Sequence, residues 1–274
     1  MQYLAGFRHH HQTEAKEGAL PRGQNTPQTL KYGLYTEQLS GSAFTCPRAT
    51  NLRSWLYRLQ PSVVHQDFTE LTTISPISAP LEKTPPTQLR WNPVEYPKQA
   101  TDFIHSWFTI AMNGDVKQRT GAAIHLYACN AAMTNSYFYN ADGELLVIPQ
   151  EGALLFNTEF GLMTVDIGEI MVIPRGVKFQ CEPVNDKARG YICENYGVPF
   201  TLPELGILGA NALANPRHFL YPQANYESKS GQFKLIPKFQ SHYWQADINH
   251  SPLNVMEWQG NEETYKIDLT LFNN

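Results

Sequence analysis

The chain is poor in the residues from which small reactive sites are built. Its 274 residues hold four cysteines, Cys46, Cys129, Cys181 and Cys193, and no two are spaced as C-x2-C. Zinc-ribbon and thioredoxin-type centres need that spacing and are excluded. No run of about 18 apolar residues occurs, so no membrane-spanning helix is expected. The stretch from Met1 to His11 lacks the apolar core of a signal peptide, which makes the cytoplasm the expected location. Charge is also sparse. Charged residues make up 17%, the net charge is −4, and there is no basic block of the kind that tracks a nucleic-acid backbone. Nucleotide and nucleophile motifs are missing too: there is no Walker A or dinucleotide fingerprint, and Leu39-Ser-Gly-Ser42 lacks the first glycine of a nucleophile elbow.

What the chain does have is apolar residues at 42%, aromatics at 12%, 19 prolines and 18 glycines. That mixture buries a core and turns often, which favours short strands over long helices. Three stretches follow. Residues 1–118 read as a polar, extended arm, irregular loops and a few strands, with the arm expected to lie against a neighbouring subunit. Within it Ser54 to Leu59 alternates Trp55, Tyr57 and Leu59 on one face, and residues 66–100 read as a long surface loop. Residues 119–196 carry eight short apolar runs: Ala122–Cys129, Ser136–Tyr139, Glu144–Pro149, Ala153–Thr158, Leu162–Asp166, Glu169–Pro174, Val177–Glu182 and Arg189–Tyr196. Turn residues separate them, and the spacing predicts an all-β, jelly-roll or cupin-like β-sandwich. Residues 197–274 are loop-rich and resume strands at Phe233, Tyr243, Val255–Trp258 and Tyr265–Leu271. The apolar run before Asn273-Asn274 reads as a cut inside a larger protein.

The central stretch carries the spacing skeleton of a cupin metal site without its ligands. Tyr137-x-Tyr139-x4-Glu144-x7-Gly152 precedes Gly168-x5-Pro174-x-Gly176-x2-Phe179. Histidines are expected where Tyr137, Tyr139 and Phe179 stand, and a phenol or phenyl ring does not replace imidazole on Fe(II) or Zn(II). On this reading these are vacant cupin positions, the chain holds no metal, and Glu144 is a rim or turn residue. The other candidates have bland alternatives. His9, His10 and His11 with Glu14 imitate a metal pair or are exposed arm residues. His125 is expected to make core or cross-strand hydrogen bonds. Asp247-x2-His250, followed by Ser251-Pro252, reads as a turn. Arg48, Arg53 and Arg58 form either an anion-binding or subunit-contact strip or a solvated strand face. The buried cysteines are expected to be Cys129, Cys181 and Cys193, all reduced.

Several longer segments carry a resemblance. Leu20-Pro-Arg-Gly-Gln-Asn-Thr-Pro27, Tyr35–Ser62, Leu89–Pro93, Asn195-Tyr-Gly-Val-Pro-Phe-Thr-Leu-Pro-Glu-Leu-Gly206, Gly209-Ala-Asn-Ala-Leu-Ala-Asn-Pro-Arg217 and Ser251-Pro-Leu-Asn-Val255 resemble, in order, the N-terminal half of the homogentisate 1,2-dioxygenase family. The stretch at about 66–88 diverges. Ala212 stands where the family tends to have Gly, and Gln259 where His is common. The resemblance implies ring-cleaving oxidation of homogentisate by O2 to maleylacetoacetate in phenylalanine and tyrosine breakdown. It implies non-haem Fe(II) and a homo-oligomer, a trimer-based hexamer. The family's iron ligands, two His and a Glu, belong to its C-terminal half, so no catalytic role passes to a residue here, and this chain alone is expected to be inactive. Arg48 and Arg53 are the substrate-side or interface candidates. The alternative left open is a stand-alone degenerate cupin with a binding or scaffolding role.

Overall fold

The computed structural model describes residues 1–21, 30–74, 86–88, 90, 92–202 and 214–272. The resembling segments around 22–27 and 203–213, including Ala212, and much of the expected surface loop lie outside the described residues.

Nineteen strands are formed among the described residues. In chain order they are β1 (Tyr3–Ala5), β2 (His11–Glu14), β3 (Tyr35–Ser40), β4 (Arg53–Arg58), β5 (Thr69–Glu70), β6 (Phe108–Asp115), β7 (Thr120–Cys129), β8 (Ser136–Asn140), β9 (Glu144–Glu151) and β10 (Leu154–Thr158). There follow β11 (Gly161–Val165), β12 (Glu169–Ile173), β13 (Phe179–Pro183), β14 (Ala188–Asn195), β15 (Leu220–Pro222), β16 (Ser230–Phe239), β17 (His242–His250), β18 (Val255–Gly260) and β19 (Tyr265–Asp268). The only helical elements among the described residues are short 3-10 turns, and none is long and apolar enough to cross a membrane.

Strands β7 to β14 are the eight runs expected from the sequence, and their pairing defines the architecture. One sheet contains the order β12-β9-β14-β7 and the other the order β11-β10-β13-β8. Apart from the β10–β11 hairpin, successive strands alternate between sheets, which is the jelly roll: two Greek keys wrapped into one sandwich. The first sheet is widened to eight strands by β1, β15 and β19 on one side and β6 on the other; the second gains β16, β17 and β5.

Period-two alternation explains what fills the space between them. In β14 the positions Ala188, Gly190, Ile192 and Glu194 are buried while Arg189, Tyr191, Cys193 and Asn195 are half-exposed. The same phase puts Leu145 and Val147 of β9, Leu154 and Phe156 of β10, and Met171 and Ile173 of β12 inside. Phe103, Phe138, Phe156 and Phe179 meet at the centre. The Phe156–Phe179, Phe138–Phe179 and Phe103–Phe156 centroids are each 5.5 Å apart, in edge-to-face arrangements. Gly190 illustrates how tight the interior is: a Cβ there would collide with the Ile148 carbonyl and the Tyr127 ring.

The third sheet, ordered β2-β18-β4-β3, docks on the sandwich. Trp258 is fully buried at that junction; its Nε1 donates to the Phe160 carbonyl at 2.7 Å, and the two rings meet edge to face. Arg58 crosses the same junction. It pairs with Glu37 on β3 at 2.6 Å and with Glu159 in the turn after β10, and donates to the Pro252 carbonyl at 2.9 Å.

Five expectations need correcting. The arm lies on its own chain: β1 pairs with β15 and β2 with β18, because its alternating segments complete sheet edges. His11 is buried, with its ring stacked on Tyr221 and Nε2 3.2 Å from the Ala5 carbonyl. In β4 the core-facing phase is Ser54, Leu56 and Arg58, whereas Trp55 remains exposed; an ion-paired arginine takes a position that pattern alone gives to an apolar side chain. Asp247 and His250 lie within β17 rather than in a turn, with Asp247 paired to Lys234 at 2.7 Å. Of the cysteines expected in the core, Cys129 and Cys181 are buried, and Cys193 is half-exposed on the outer face.

Two predictions follow from this packing. Phe156→Ala removes the ring that touches both Phe103 and Phe179, and should cost about 3–5 kcal/mol in equilibrium denaturation. Glu257 on β18 is fully buried, neither of its oxygens has a hydrogen-bond partner among the described residues, and its cross-strand neighbour on β2 is Glu14. Burial first, then the Glu14 charge, push its pKa up to about 8. Because that value lies above the unfolded one, about 4.3, its stability contribution is whole at low pH and is lost as pH rises through 8. Glu257→Gln should therefore raise the thermal midpoint more at pH 9 than at pH 5; equal shifts at both pH values would refute this.

Candidate functional site

The interior of the sandwich is where a cupin assembles its metal, so the inward-facing polar residues form the candidate site. Phe179 on β13 is the cross-strand partner of Phe138 on β8, and paired residues share a face. The inward phase of β8 is therefore Phe138 and Asn140. Tyr137 and Tyr139 point the other way. The Tyr137 hydroxyl donates to Glu227 Oε2 at 3.0 Å, its ring packs against Phe233, and the Lys178 ammonium sits 5.5 Å from the Tyr139 ring. The three vacant cupin positions thus do not converge, and the tyrosine reading is corrected by one residue. Glu144 is not a rim residue either. It opens β9, buried on the face opposite Leu145 and Val147, and accepts from the Phe200 amide at 2.7 Å; burial raises its pKa.

Beside the aromatic cluster lies a buried network. His125 (β7), Asn140 (β8), Glu194 (β14) and Lys238 (β16) all point inward, and Asp142 joins them from the turn between β8 and β9. The Lys238 ammonium donates to Asp142 Oδ2 and to Glu194 Oε1, both at 2.6 Å. Asn140 Nδ2 donates to the same Glu194 oxygen at 2.8 Å and to the Gly143 carbonyl at 3.0 Å. On the other oxygen of Glu194, His125 Nε2 lies at 3.1 Å and the Tyr196 hydroxyl donates at 3.3 Å. His125 Nδ1 is 3.0 Å from Thr109 Oγ1, and the imidazole stacks on Trp107. Asp142 also accepts from the Gln240 and Ser241 amides at 2.6 and 2.9 Å, which anchors the β16–β17 turn. Burial alone would raise the Glu194 pKa, but Lys238 and His125 outweigh it and hold it down at about 2.

The donor set does not fit a transition metal. Phe138 and Phe179 offer no lone pair, Asn140 is a weak ligand, and the cation between the two carboxylates is an ammonium, which only donates. Among the described residues no group of three or more His, Cys, Asp or Glu is placed to hold a metal ion. The chemistry of this arrangement is neutralisation: one buried ammonium lies between two buried carboxylates.

The arginine candidates separate. Arg48 lies exposed in the 3-10 turn Arg48–Thr50, and Arg53 is exposed on β4 with Nη1 donating to Asn51 Oδ1 at 2.9 Å. Arg58 has the opposite strand phase and is buried in its ion pairs, so the three form no continuous strip.

With this geometry in place, comparison with known families is informative. Residues 2–269 match the family described as homogentisate 1,2-dioxygenase N-terminal. The chain belongs to that family. Solved structures with some similarity include a cupin-2 domain protein from Shewanella frigidimarina, at 23% identity over 33% of this chain and 79% of that one, TM-score 0.28. A cupin-superfamily sugar phosphate isomerase from Silicibacter pomeroyi shows 14% identity over 47% and 67%, TM-score 0.26. AerE from Microcystis aeruginosa shows 10% over 53% and 84%, TM-score 0.27. The jelly-roll assignment rests on strand order, to which these scores add nothing.

Sequence reasoning placed His125 in a hydrogen-bonded core role, and it is there. It missed Lys238 and Glu194. The signal was available in Glu194, which shares the inward phase with Gly190 and Ile192; a charge on the apolar phase of a strand announces a buried partner.

Replacing Lys238 leaves Asp142 and Glu194 buried without a counter-charge. Lys238→Met should destabilise the protein by about 3–5 kcal/mol, with part of the loss recovered when Asp142→Asn and Glu194→Gln are added. Denaturant titration of the single and triple variants checks this. A single-variant loss no larger than that of a surface substitution, about 0.5 kcal/mol, would count against it.

Proposed function

We propose that this chain serves as the N-terminal domain of a homogentisate 1,2-dioxygenase, the enzyme that opens the homogentisate ring with O2 to give maleylacetoacetate in phenylalanine and tyrosine catabolism. The observation that carries the reading is the family match along residues 2–269. The interior donor set supports a division of labour: with Phe138, Asn140 and Phe179 at the ligand positions and Lys238 as the resident cation, Fe(II) is assigned to residues outside this barrel. This chain's part is then to supply a rigid sandwich on which the iron-bearing part and neighbouring subunits assemble in the cytoplasm as a trimer-based hexamer. Arg48 and Arg53, both exposed, remain the candidates for contacts on the substrate side or at an interface.

Purified chain incubated anaerobically with Fe(II) and desalted should retain no stoichiometric iron, and on adding homogentisate and air should consume no oxygen above background. Supplying a separately produced iron-binding half should restore oxygen uptake. Stoichiometric iron with turnover by the chain alone defeats the division of labour, and failure of every combination defeats the reading of the activity.

A further inference from the structure

A groove lies on the outer face of the larger sheet, on the opposite side of the β7 and β14 strands from the Lys238 network, and what it suggests does not depend on the reading above. Its floor is apolar. Tyr191 of β14 is the cross-strand partner of both Leu126 of β7 and Ile148 of β9, so the three side chains lie side by side, and all three are half-exposed. Asn92, Pro93 and Val94 form one wall, and the open groove has a volume of about 510 Å³, a size that suits a small ligand.

One end of the groove is cationic. Arg189 lines it, two residues before Tyr191 on the same outward phase. Its Nη1 donates to the Val94 carbonyl at 3.1 Å and its Nη2 pairs with Glu151 at 2.9 Å, while Nε has no acceptor among the described residues. Lys187 shares the same carboxylate at 3.4 Å, and both cations lie over the Tyr96 ring. Arg189 and Lys187 thus share the single carboxylate of Glu151 at the end of an apolar trough. The backbone contact and the ring hold the guanidinium in place before any ligand arrives, and a preorganised guanidinium favours a carboxylate.

We propose that this groove binds a small free carboxylic acid, its apolar body lying across Leu126, Tyr191 and Ile148 and its carboxylate on Arg189. The probes are 3-phenylpropionate and its neutral counterpart 3-phenylpropan-1-ol, titrated against the intact chain by protein-observed NMR at low ionic strength. The acid should bind saturably and at least tenfold more tightly than the alcohol, with the largest shifts at residues 126, 148, 189 and 191. Arg189→Gln should reduce the acid to the affinity of the alcohol. Because Arg189 also holds Val94, a second variant tests the floor alone: Ile148→Trp, which fills the trough and leaves the guanidinium untouched, should abolish binding of both probes while the thermal midpoint stays at the wild-type value. Should Ile148→Trp unfold the chain, Leu126→Trp takes its place. No saturable binding, equal affinity for acid and alcohol, or an affinity that neither variant changes overturns the proposal.

Discussion

The structure turns on one ammonium group. Lys238 reaches from β16 in one sheet to Glu194 on β14 in the other, and to Asp142 in the turn that joins β8 to β9. Taking three charges out of water costs several kcal/mol per ion, and attraction repays it only when geometry is good and the remaining lone pairs are satisfied. Here they are: Glu194 accepts from Asn140 and Tyr196 with His125 alongside, and Asp142 accepts from two backbone amides. A slip of one residue in β14 would send Glu194 to solvent and leave Lys238 with half its compensation. The network therefore fixes strand register, whatever its net contribution to stability.

That constraint also gives a jelly-roll interior a counter-charge of its own for inward carboxylates. In a metal-binding barrel the ion neutralises inward carboxylates and ties strands from both sheets together. In this chain the ammonium does the neutralising and the edge-to-face cluster of Phe103, Phe138, Phe156 and Phe179 does the tying. The two replacements depend on each other. Aromatic rings fill the volume that ligands and water would occupy, and a dry interior strengthens the pairing of Lys238 with its two carboxylates.

The sequence made the architecture legible because both faces of the central strands obey a simple rule. Eight apolar runs bounded by Gly, Asn, Asp and Pro became β7 to β14, with ends displaced by a residue or two. The candidate site was less legible, for a reason of parity. Spacing motifs locate a turn well but tolerate an offset of one in the strand beside it, and in a strand one residue is the difference between inside and outside. Tyr137 is bulky, aromatic and as well buried as Phe138, and Tyr139 is half-buried, because side chains such as Leu253, Ile248 and Phe233 pack on their side. With both faces of β8 covered, hydrophobicity no longer reports which one is inward. The pairing of Phe138 with Phe179, a contact between residues 41 positions apart, decides it.

Arg58 failed the same reading in the opposite sense. Arginine on a strand reads as solvent-facing, and its neighbours Trp55 and Tyr57 read as core. The structure reverses part of this because Glu159 and Glu37, distant in sequence, converge on the guanidinium from two elements, while Lys178 supplies a second cation to Glu159. Buried charge is thus a tertiary property: whether Arg58, Lys238 or Glu257 goes inside depends on whether a partner arrives from elsewhere. For Arg58 and Lys238 it does, and they are fixed points of the fold. For Glu257 among the described residues it does not, and only the protonated carboxyl sits comfortably between β2 and β4. The sheet that holds the N-terminal arm therefore carries an uncompensated buried carboxyl, so the seating of the arm responds to a rise in pH.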